Sequence, residues 1–194
     1  IFYLFKNNSK LADNLGLIIF FTLSIVLFDG YYQWITGYNI FGWTTGLRTD
    51  RLSSFFGEEL VLGGYIARLI PIMFALLIYA HKPSIKRVFI GIIFLFFSNI
   101  LVFGSGERAA FFFIILFNLI LIFVSNRFKF YAFINLFFTC ITIFFITIFV
   151  PNSSLRFQQT LDQTTNNLFI PFAPYTPLHE EHYIVALKIF ADNP

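Results

Sequence analysis

The sequence has little charge, and this shortage decides the class of protein. Only 12% of its 194 residues are charged, whereas 58% are hydrophobic. In soluble domains roughly a quarter of the residues are charged, because a surface that faces water needs charged side chains for solubility. The composition therefore excludes an ordinary soluble protein and predicts helices buried in a lipid bilayer.

Cysteine is almost absent as well. The single cysteine, Cys140, lies in an apolar run, so an intrachain disulfide is excluded. No nucleotide-binding loop and no internal repeat is found. His179 and His182 are three residues apart, whereas the metalloprotease pattern spaces its histidines four apart, so neither a metal nor another cofactor is predicted.

Five apolar runs are candidates for membrane helices, which need about 20 residues to cross roughly 30 Å of hydrocarbon. They cover residues 15–28, 60–80, 88–103, 109–124 and 130–150. Basic residues fill the connections before the first run, after the second and after the fourth: Lys6, Lys10, Lys82, Lys86, Arg87, Arg127 and Lys129. With alternating crossings these connections share one side, which the positive-inside rule makes cytoplasmic.

The predicted fold is an all-α polytopic membrane protein with about five transmembrane helices and two longer periplasmic segments. Residues 1–150 form the helix bundle, which includes a periplasmic loop at 30–58. This loop is rich in aromatic residues and glycine, as suits the membrane interface. Residues 151–194 form a second periplasmic segment, which ends in a helix around residues 180–190.

Arginine marks the predicted outer side, where its planar guanidinium group favours phosphate or carboxylate. Four candidates for an anion site lie there: Arg51, Arg68, Arg108 and Arg156. Arg68 is about 13 Å deep in its span, where a charge is costly and should face protein or a water-filled cavity. A functional site and a structural role both stay open for it. The structural role would be an ion pair with Glu58, Glu59 or Glu107, or a side chain that reaches the outer surface.

The start of the second span carries several distinct signals. Glu58 and Glu59 precede it, and carboxylates at a helix start favour the helix dipole. Arg51 has no comparable structural explanation. Gly63 and Gly64 permit the close approach of a neighbouring helix, and a proline at position 71 can kink the span.

Residues 104–108 (GSGER) predict a tight outer turn, with Glu107 in the turn and Arg108 opening the next helix. A helix N-terminus together with an arginine suits an anion. The alternative for Arg108, and equally for Arg156, is to anchor a helix end against lipid headgroups.

Residues 179–182 (HEEH) begin the last predicted helix. A neutral imidazole can accept a hydroxyl proton near neutral pH, so His179 or His182 is a candidate general base. Glu180 is the candidate carboxylate for the same step. The alternative is an ordinary solvated helix start.

The order of several short motifs resembles the bacterial O-antigen polymerase and O-antigen ligase superfamily. These motifs occupy residues 29–33 (DGYYQ), 37–42 (GYNIFG), 51–59 (RLSSFFGEE), 63–65, 68–71 (RLIP), 105–108 (SGER), 182–183 and 186–194 (ALKIFADNP). Their order in this topology is the specific feature, since each motif alone is weak. Ser54 departs from the pattern, which has glycine there. The family continues into further membrane helices, so we expect this chain to be part of a longer protein.

The resemblance implies a metal-independent glycosyltransferase of the bacterial inner membrane, with its active site facing the periplasm. The donor would be an undecaprenyl-pyrophosphate-linked glycan. The acceptor would be a second lipid-linked unit in a polymerase, which is the preferred assignment, or lipid A–core in a ligase. The lipid bilayer and a chain-length regulator are the other implied partners, and nucleic acid is not one.

The resemblance also implies roles for individual residues. The arginines at positions 51, 68, 108 and 156 would lie near the pyrophosphate, and His179 or His182 would lie in the periplasmic segment that supplies the base. Two other classes of protein stay open. A transporter of anionic solutes would use Arg68 as a counter-ion, although the inverted repeats typical of transporters are not found. A non-catalytic assembly protein would leave the outer arginines unexplained.

Overall fold

The computed structural model describes residues 9–44, 51–79, 84–124, 128–149 and 177–192. Six α-helices form the described part of the chain: α1 (Ser9–Thr36), α2 (Leu62–Phe74), α3 (Ile85–Gly104), α4 (Arg108–Val124), α5 (Lys129–Phe149) and α6 (Pro177–Asp192). A 3₁₀ turn covers Ser54–Phe56, and a π-helical turn, Ala75–Tyr79, follows α2. The predicted all-α class is confirmed.

Among the described residues, three helices are long and apolar enough to cross a membrane: Lys10–Thr36, Ile85–Gly104 and Lys129–Ile148. Two further apolar helices, Leu62–Leu77 and Arg108–Phe123, are shorter. These five elements coincide with the five apolar runs of the sequence, and they are consistent with an α-helical membrane protein. The number of crossings and the side that each end faces stay predictions.

The chain divides into two compact units, Ile1–Phe145 and Ile146–Pro194. The first unit contains α1 to α4 and most of α5. The second contains α6, which includes the helix predicted near the end of the sequence. In α6, Leu187, Ile189 and Phe190 are exposed.

Helix α2 contacts three other helices of the first unit, α1, α3 and α4. Leu62, Ile66, Ile70 and Met73 are buried, and their spacing of four, four and three residues lines one face of the helix. The buried residues Leu23, Leu95 and Ile114 from the neighbouring helices complete this core. The opposite face of α2 is exposed, and it carries Arg68.

Glycines allow the helices to approach closely, as is common in membrane bundles. A Cβ atom at Gly30 would lie 2.7 Å from Leu101 Cδ2, and one at Gly104 would lie 2.7 Å from Trp34 Cζ3. Gly63 is equally tight against Ser105, which confirms the predicted close approach at that glycine.

Helix α1 corrects one predicted boundary. The apolar run ends at residue 28, but the helix continues to Thr36 and takes in the first seven residues of the predicted loop 30–58. Asp29 and Gln33 interrupt the apolar pattern, and both are nevertheless fully buried. They extend the helix because their side chains hydrogen-bond to the loop that follows it.

Helix α2 is interrupted near its end. Pro71 lies inside the helix and has no N–H to donate to the preceding turn. The N–H of Ala75 bonds to both the Pro71 and Ile72 carbonyl oxygens, and the π-helical turn begins there. The proline predicted to disturb this span thus precedes a change of helix type.

The starts of α1 and α3 lie at the same end of the bundle, as alternating crossings require. Arg87 Nη1 and Asp13 Oδ1 form an ion pair of 3.7 Å between these two helix starts. Arg87 is therefore an arginine with a carboxylate partner, and it is a useful reference for the arginines at the other end.

Candidate functional site at the loop end of the bundle

We call the end of the first unit that holds residues 37–44, residues 51–61 and the turn 105–107 the loop end. Two buried side chains of α1 hold the loop there. Asp29 accepts hydrogen bonds from the Ile40 N–H (2.8 Å) and from Ser54 Oγ (2.5 Å). Gln33 Oε1 accepts from the backbone N–H groups of Ser53 (2.9 Å) and Ser54 (2.7 Å). Both ends of the loop are thus bound to one helix.

Asn39 closes the first part of this loop into a tight turn. Its Oδ1 accepts from the N–H groups of Phe41 (3.0 Å) and Trp43 (2.8 Å), and its own N–H donates to the Trp43 carbonyl (2.9 Å). Its Nδ2 donates to the Ser54 carbonyl at 2.9 Å. One buried amide side chain therefore joins the turn to the 3₁₀ segment.

Ser54 has a left-handed backbone, with φ of 51°. A left-handed backbone raises the conformational energy of serine by about 1–2 kcal/mol, whereas glycine adopts it without this cost. Ser54, the residue noted in the sequence analysis as standing where a glycine was expected, thus has a backbone conformation that favours glycine. Hydrogen bonds to Asp29 and Gln33 hold the serine in place.

Arg51 has a structural role that the sequence did not reveal. Its Nε donates to the Ser105 carbonyl (3.3 Å) and its Nη2 donates to the Gly106 carbonyl (2.8 Å). These carbonyls lie at the C-terminal end of α3, where the helix dipole favours a cation. Arg51 consequently ties the loop to the turn that leads into Arg108.

Glu107 lies in the turn between α3 and α4, and its side chain binds the N-terminal end of α2. Its two carboxylate oxygens accept from the N–H groups of Gly63 (2.6 Å) and Gly64 (2.9 Å). Glu58 and Glu59, the carboxylates that the sequence suggested for this helix start, do not cap it, because neither lies in its first turn and the N–H groups of Gly63 and Gly64 bond to Glu107 instead. The anion that favours the helix dipole comes from a distant turn instead.

Arg68 and Arg108 are both exposed. Arg68 lies on the face of α2 away from the buried core, so among the described residues it does not pack into the protein interior. The alternative expectations, a water-filled cavity or a side chain that reaches the outer surface, stay predictions. No carboxylate in that part of the chain lies within ion-pair distance of Arg68, and the ion pairs considered from the sequence are not formed. Arg108 is the first residue of α4, directly after Glu107.

The structure therefore brings Arg51, Glu107 and Arg108 together at one turn, with Arg68 further along the helix that Glu107 binds. Arg156 lies outside the described residues. His179 and Glu180 fall in the first turn of α6, and His182 is exposed on the same helix. Within the described ranges, no group of three or more His, Cys, Asp or Glu side chains is placed to hold a metal ion.

A second polar cluster went unnoticed in the sequence. Asn118 Nδ2 donates to Asn99 Oδ1 (3.1 Å), Asn135 Nδ2 donates to Asn118 Oδ1 (2.9 Å), and Asn99 Nδ2 donates to Thr139 Oγ1 (3.2 Å). These buried side chains join α3, α4 and α5. The sequence does contain an indication of this cluster, because each of the last three apolar runs has one asparagine.

Comparison of the chain with protein-family models, with curated proteins and with solved structures gave no match. The resemblance to the O-antigen polymerase and ligase superfamily therefore rests on the sequence motifs alone.

Proposed function

We propose that the chain is a membrane glycosyltransferase of the O-antigen polymerase type, which joins undecaprenyl-pyrophosphate-linked glycans at the periplasmic face. The observation that carries this proposal is Arg68, an exposed cation in an apolar helix with no carboxylate of the described residues in ion-pair range. A charge costs about 3 kcal/mol or more at the centre of a bilayer, so a cation on a membrane helix is stabilised where it can reach an anion or water. A lipid-linked diphosphate supplies such an anion from the bilayer side.

The depth of Arg68 suits that ligand. It lies six residues after the start of α2, which is about 9 Å along the helix. A long arginine side chain spans much of this distance and places its charge near the headgroup level. The diphosphate of a polyprenyl lipid lies at that level because its chain is dissolved in the hydrocarbon. The guanidinium fork matches two phosphate oxygens at once.

Glycosyl transfer from a lipid-linked diphosphate needs fixed positive charge near the leaving diphosphate. The acceptor hydroxyl attacks the anomeric carbon and forms the new glycosidic bond, while the bond between that carbon and the diphosphate oxygen breaks. The diphosphate leaves with the electron pair, and each well-placed donor can stabilise the developing charge by about 3 kcal/mol. Arg68 and Arg108 are the proposed donors of the first unit. The proton of the acceptor hydroxyl passes to a general base, a role for which the side chains of His179, His182 and Glu180 are chemically suited.

Arg51 and Glu107 act in this proposal as positioning residues. Arg51 holds the turn 105–107 through two carbonyl oxygens, and Glu107 holds the start of α2 through two N–H groups. The turn carries Arg108 and the helix carries Arg68. Both donors are consequently built on elements that are tied to each other, which is what a preorganised anion site requires.

Substitution of Arg68 tests the proposal against a matched arginine. In Arg68→Lys the charge stays but the planar fork is lost, so surface glycan chains should shorten sharply on a gel of extracted polysaccharide. Arg87→Lys is the control, because Arg87 pairs with Asp13 at the other end of the bundle. Chains of normal length in both Arg68→Lys and Arg68→Gln would contradict the proposal.

A ligase is the alternative within the same chemistry, and deletion of the gene separates the two. Loss of a polymerase leaves lipid A–core bearing a single glycan unit. Loss of a ligase leaves lipid A–core without any unit.

A transporter of anionic solutes is the second candidate, and one observation favours it. Helix α2 changes from α- to π-helical a few residues after Arg68, and interrupted helices often line solute sites in transporters. Uptake of labelled inorganic phosphate into proteoliposomes, reduced in Arg68→Gln, would support this function. Equal uptake by protein-free vesicles would count against it.

A further inference from the structure

The turn at residues 38–44 presents large apolar side chains outward. Phe41 is 67% exposed, and Ile40 and Trp43 are each about half exposed. Between Asp29 and Arg48 the sequence contains no charged residue. An exposed, uncharged and aromatic tip is unusual for a loop in water, where such a patch would favour association.

The backbone N–H groups of the same turn are all satisfied within the protein. Seven consecutive N–H groups, from residue 37 to residue 43, all donate to protein acceptors. The acceptors are the side chains of Thr36, Asp29 and Asn39 and the carbonyls of three nearby residues. A loop in water needs no such arrangement, because water satisfies free N–H groups. In lipid each unsatisfied group costs several kcal/mol.

The turn also continues an exposed apolar stripe on α1. Ile25, Phe28 and Ile35 lie along one side of the helix, and Ile35 is 84% exposed. The apolar span Lys10–Thr36 has 27 residues, or about 40 Å, which exceeds the roughly 30 Å of hydrocarbon. A helix of this length can extend beyond the hydrocarbon, which would bring its end and the turn that follows to the level of the headgroups.

We propose that residues 38–43 are a lipid-interface anchor, whose side chains Ile40, Phe41 and Trp43 enter the boundary between headgroups and acyl chains. Aromatic residues concentrate at that boundary in membrane proteins. The aliphatic side chains of Ile35 and Ile40 favour lipid over a stacked sugar as the occupant. The absence of charge makes the interaction independent of anionic lipid. This inference does not depend on the glycosyltransferase proposal.

Trp43 gives a direct readout, because the chain contains two tryptophans and Trp34→Phe leaves Trp43 alone. The full chain is reconstituted in phosphatidylcholine vesicles, with or without bromine on acyl carbons near the headgroup. We expect the bromolipid to remove roughly half of the Trp43 emission, as for an interfacial tryptophan, and iodide in the water phase to have little effect.

The control is Trp43→Phe, which leaves Trp34. That ring packs against Gly104 and stacks on Tyr31 at 6.1 Å, so its emission should respond less to bromolipid than Trp43 does. In a further variant with Trp34→Phe, Phe41→Asp should withdraw the turn and make Trp43 accessible to iodide. In the Trp34→Phe variant with Phe41 unchanged, quenching of Trp43 by iodide and not by bromolipid would overturn the proposed lipid-interface anchor. So would a Trp43 emission that responds to added oligosaccharide and ignores the bromolipid.

Discussion

The loop end and the asparagine cluster use polar side chains in opposite ways. At the loop end, Asp29, Gln33 and Glu107 bond mainly to backbone N–H groups, and Arg51 bonds to backbone carbonyls. Between α3, α4 and α5, the interhelical bonds of the asparagines join side chain to side chain.

The difference follows from what the backbone lacks in each place. Inside a helix every backbone group already has its partner, so a buried amide can bond chiefly to another side chain. At a helix end or in a loop the backbone groups are free, and a buried carboxylate or guanidinium can satisfy two at once. We therefore expect the loop-end contacts to fix the shape of the candidate site and the asparagines to fix the register of the helices.

The largest effect is expected at Glu107. Replacement by leucine removes the charged acceptor of two hydrogen bonds from N–H groups. Each hydrogen bond to a charged group contributes about 1.5–3 kcal/mol. The free energy of unfolding should fall by about 3–6 kcal/mol, as measured by titration with a denaturing detergent. The exposed Glu58 is the control, and Glu58→Leu should change it by less than about 0.5 kcal/mol. Equal stability of the two variants would remove the special role of Glu107.

A smaller effect is expected at the centre of the asparagine cluster. Asn118→Leu breaks the bonds to Asn99 and Asn135, and such bonds in membranes contribute about 0.6–1.7 kcal/mol each. The same titration should show a loss of about 1–3 kcal/mol. Asn14, an exposed residue of α1, provides the control substitution to leucine. A loss larger than that of the Glu107 variant would reverse the comparison between the two regions.

The smallest effect separates backbone strain from hydrogen bonding at Ser54. Ser54→Ala loses the bond to Asp29 and keeps the left-handed backbone, whereas Ser54→Gly loses the bond and relieves the backbone. The glycine variant should be more stable than the alanine variant by about 1 kcal/mol. If alanine proved the more stable, φ at this residue could not be left-handed in the folded protein.

Much of the fold was predictable because apolar runs report helices directly. All five runs coincide with helices, and Gly63 makes the close approach that its residue type suggested. The extent of α1 was not predictable from hydropathy, since Asp29 and Gln33 are polar and become buried only through partners more than ten residues away.

The sequence predicted which residues belong to the candidate site better than it predicted what those residues contact. The sequence placed Arg51, Glu107 and Arg108 on one side, and the structure joins them at one turn. It could not give the partner of Arg51, because carbonyl oxygens at a helix end carry no sequence signal. The assignment of helix capping to Glu58 and Glu59 failed for a related reason. Adjacency in sequence suggested the cap, and a carboxylate 43 residues beyond Gly64 supplies it.

The most direct test of the proposed anion site is to measure, by native mass spectrometry, the affinity of the purified full chain for undecaprenyl pyrophosphate. If Arg68 meets the diphosphate with a charge-assisted fork worth about 1.5–3 kcal/mol, Arg68→Gln should weaken binding roughly tenfold or more. Arg87→Gln should leave it unchanged. Equal affinities for the wild-type chain and the Arg68 variant would contradict the assignment of a diphosphate to this end of the bundle.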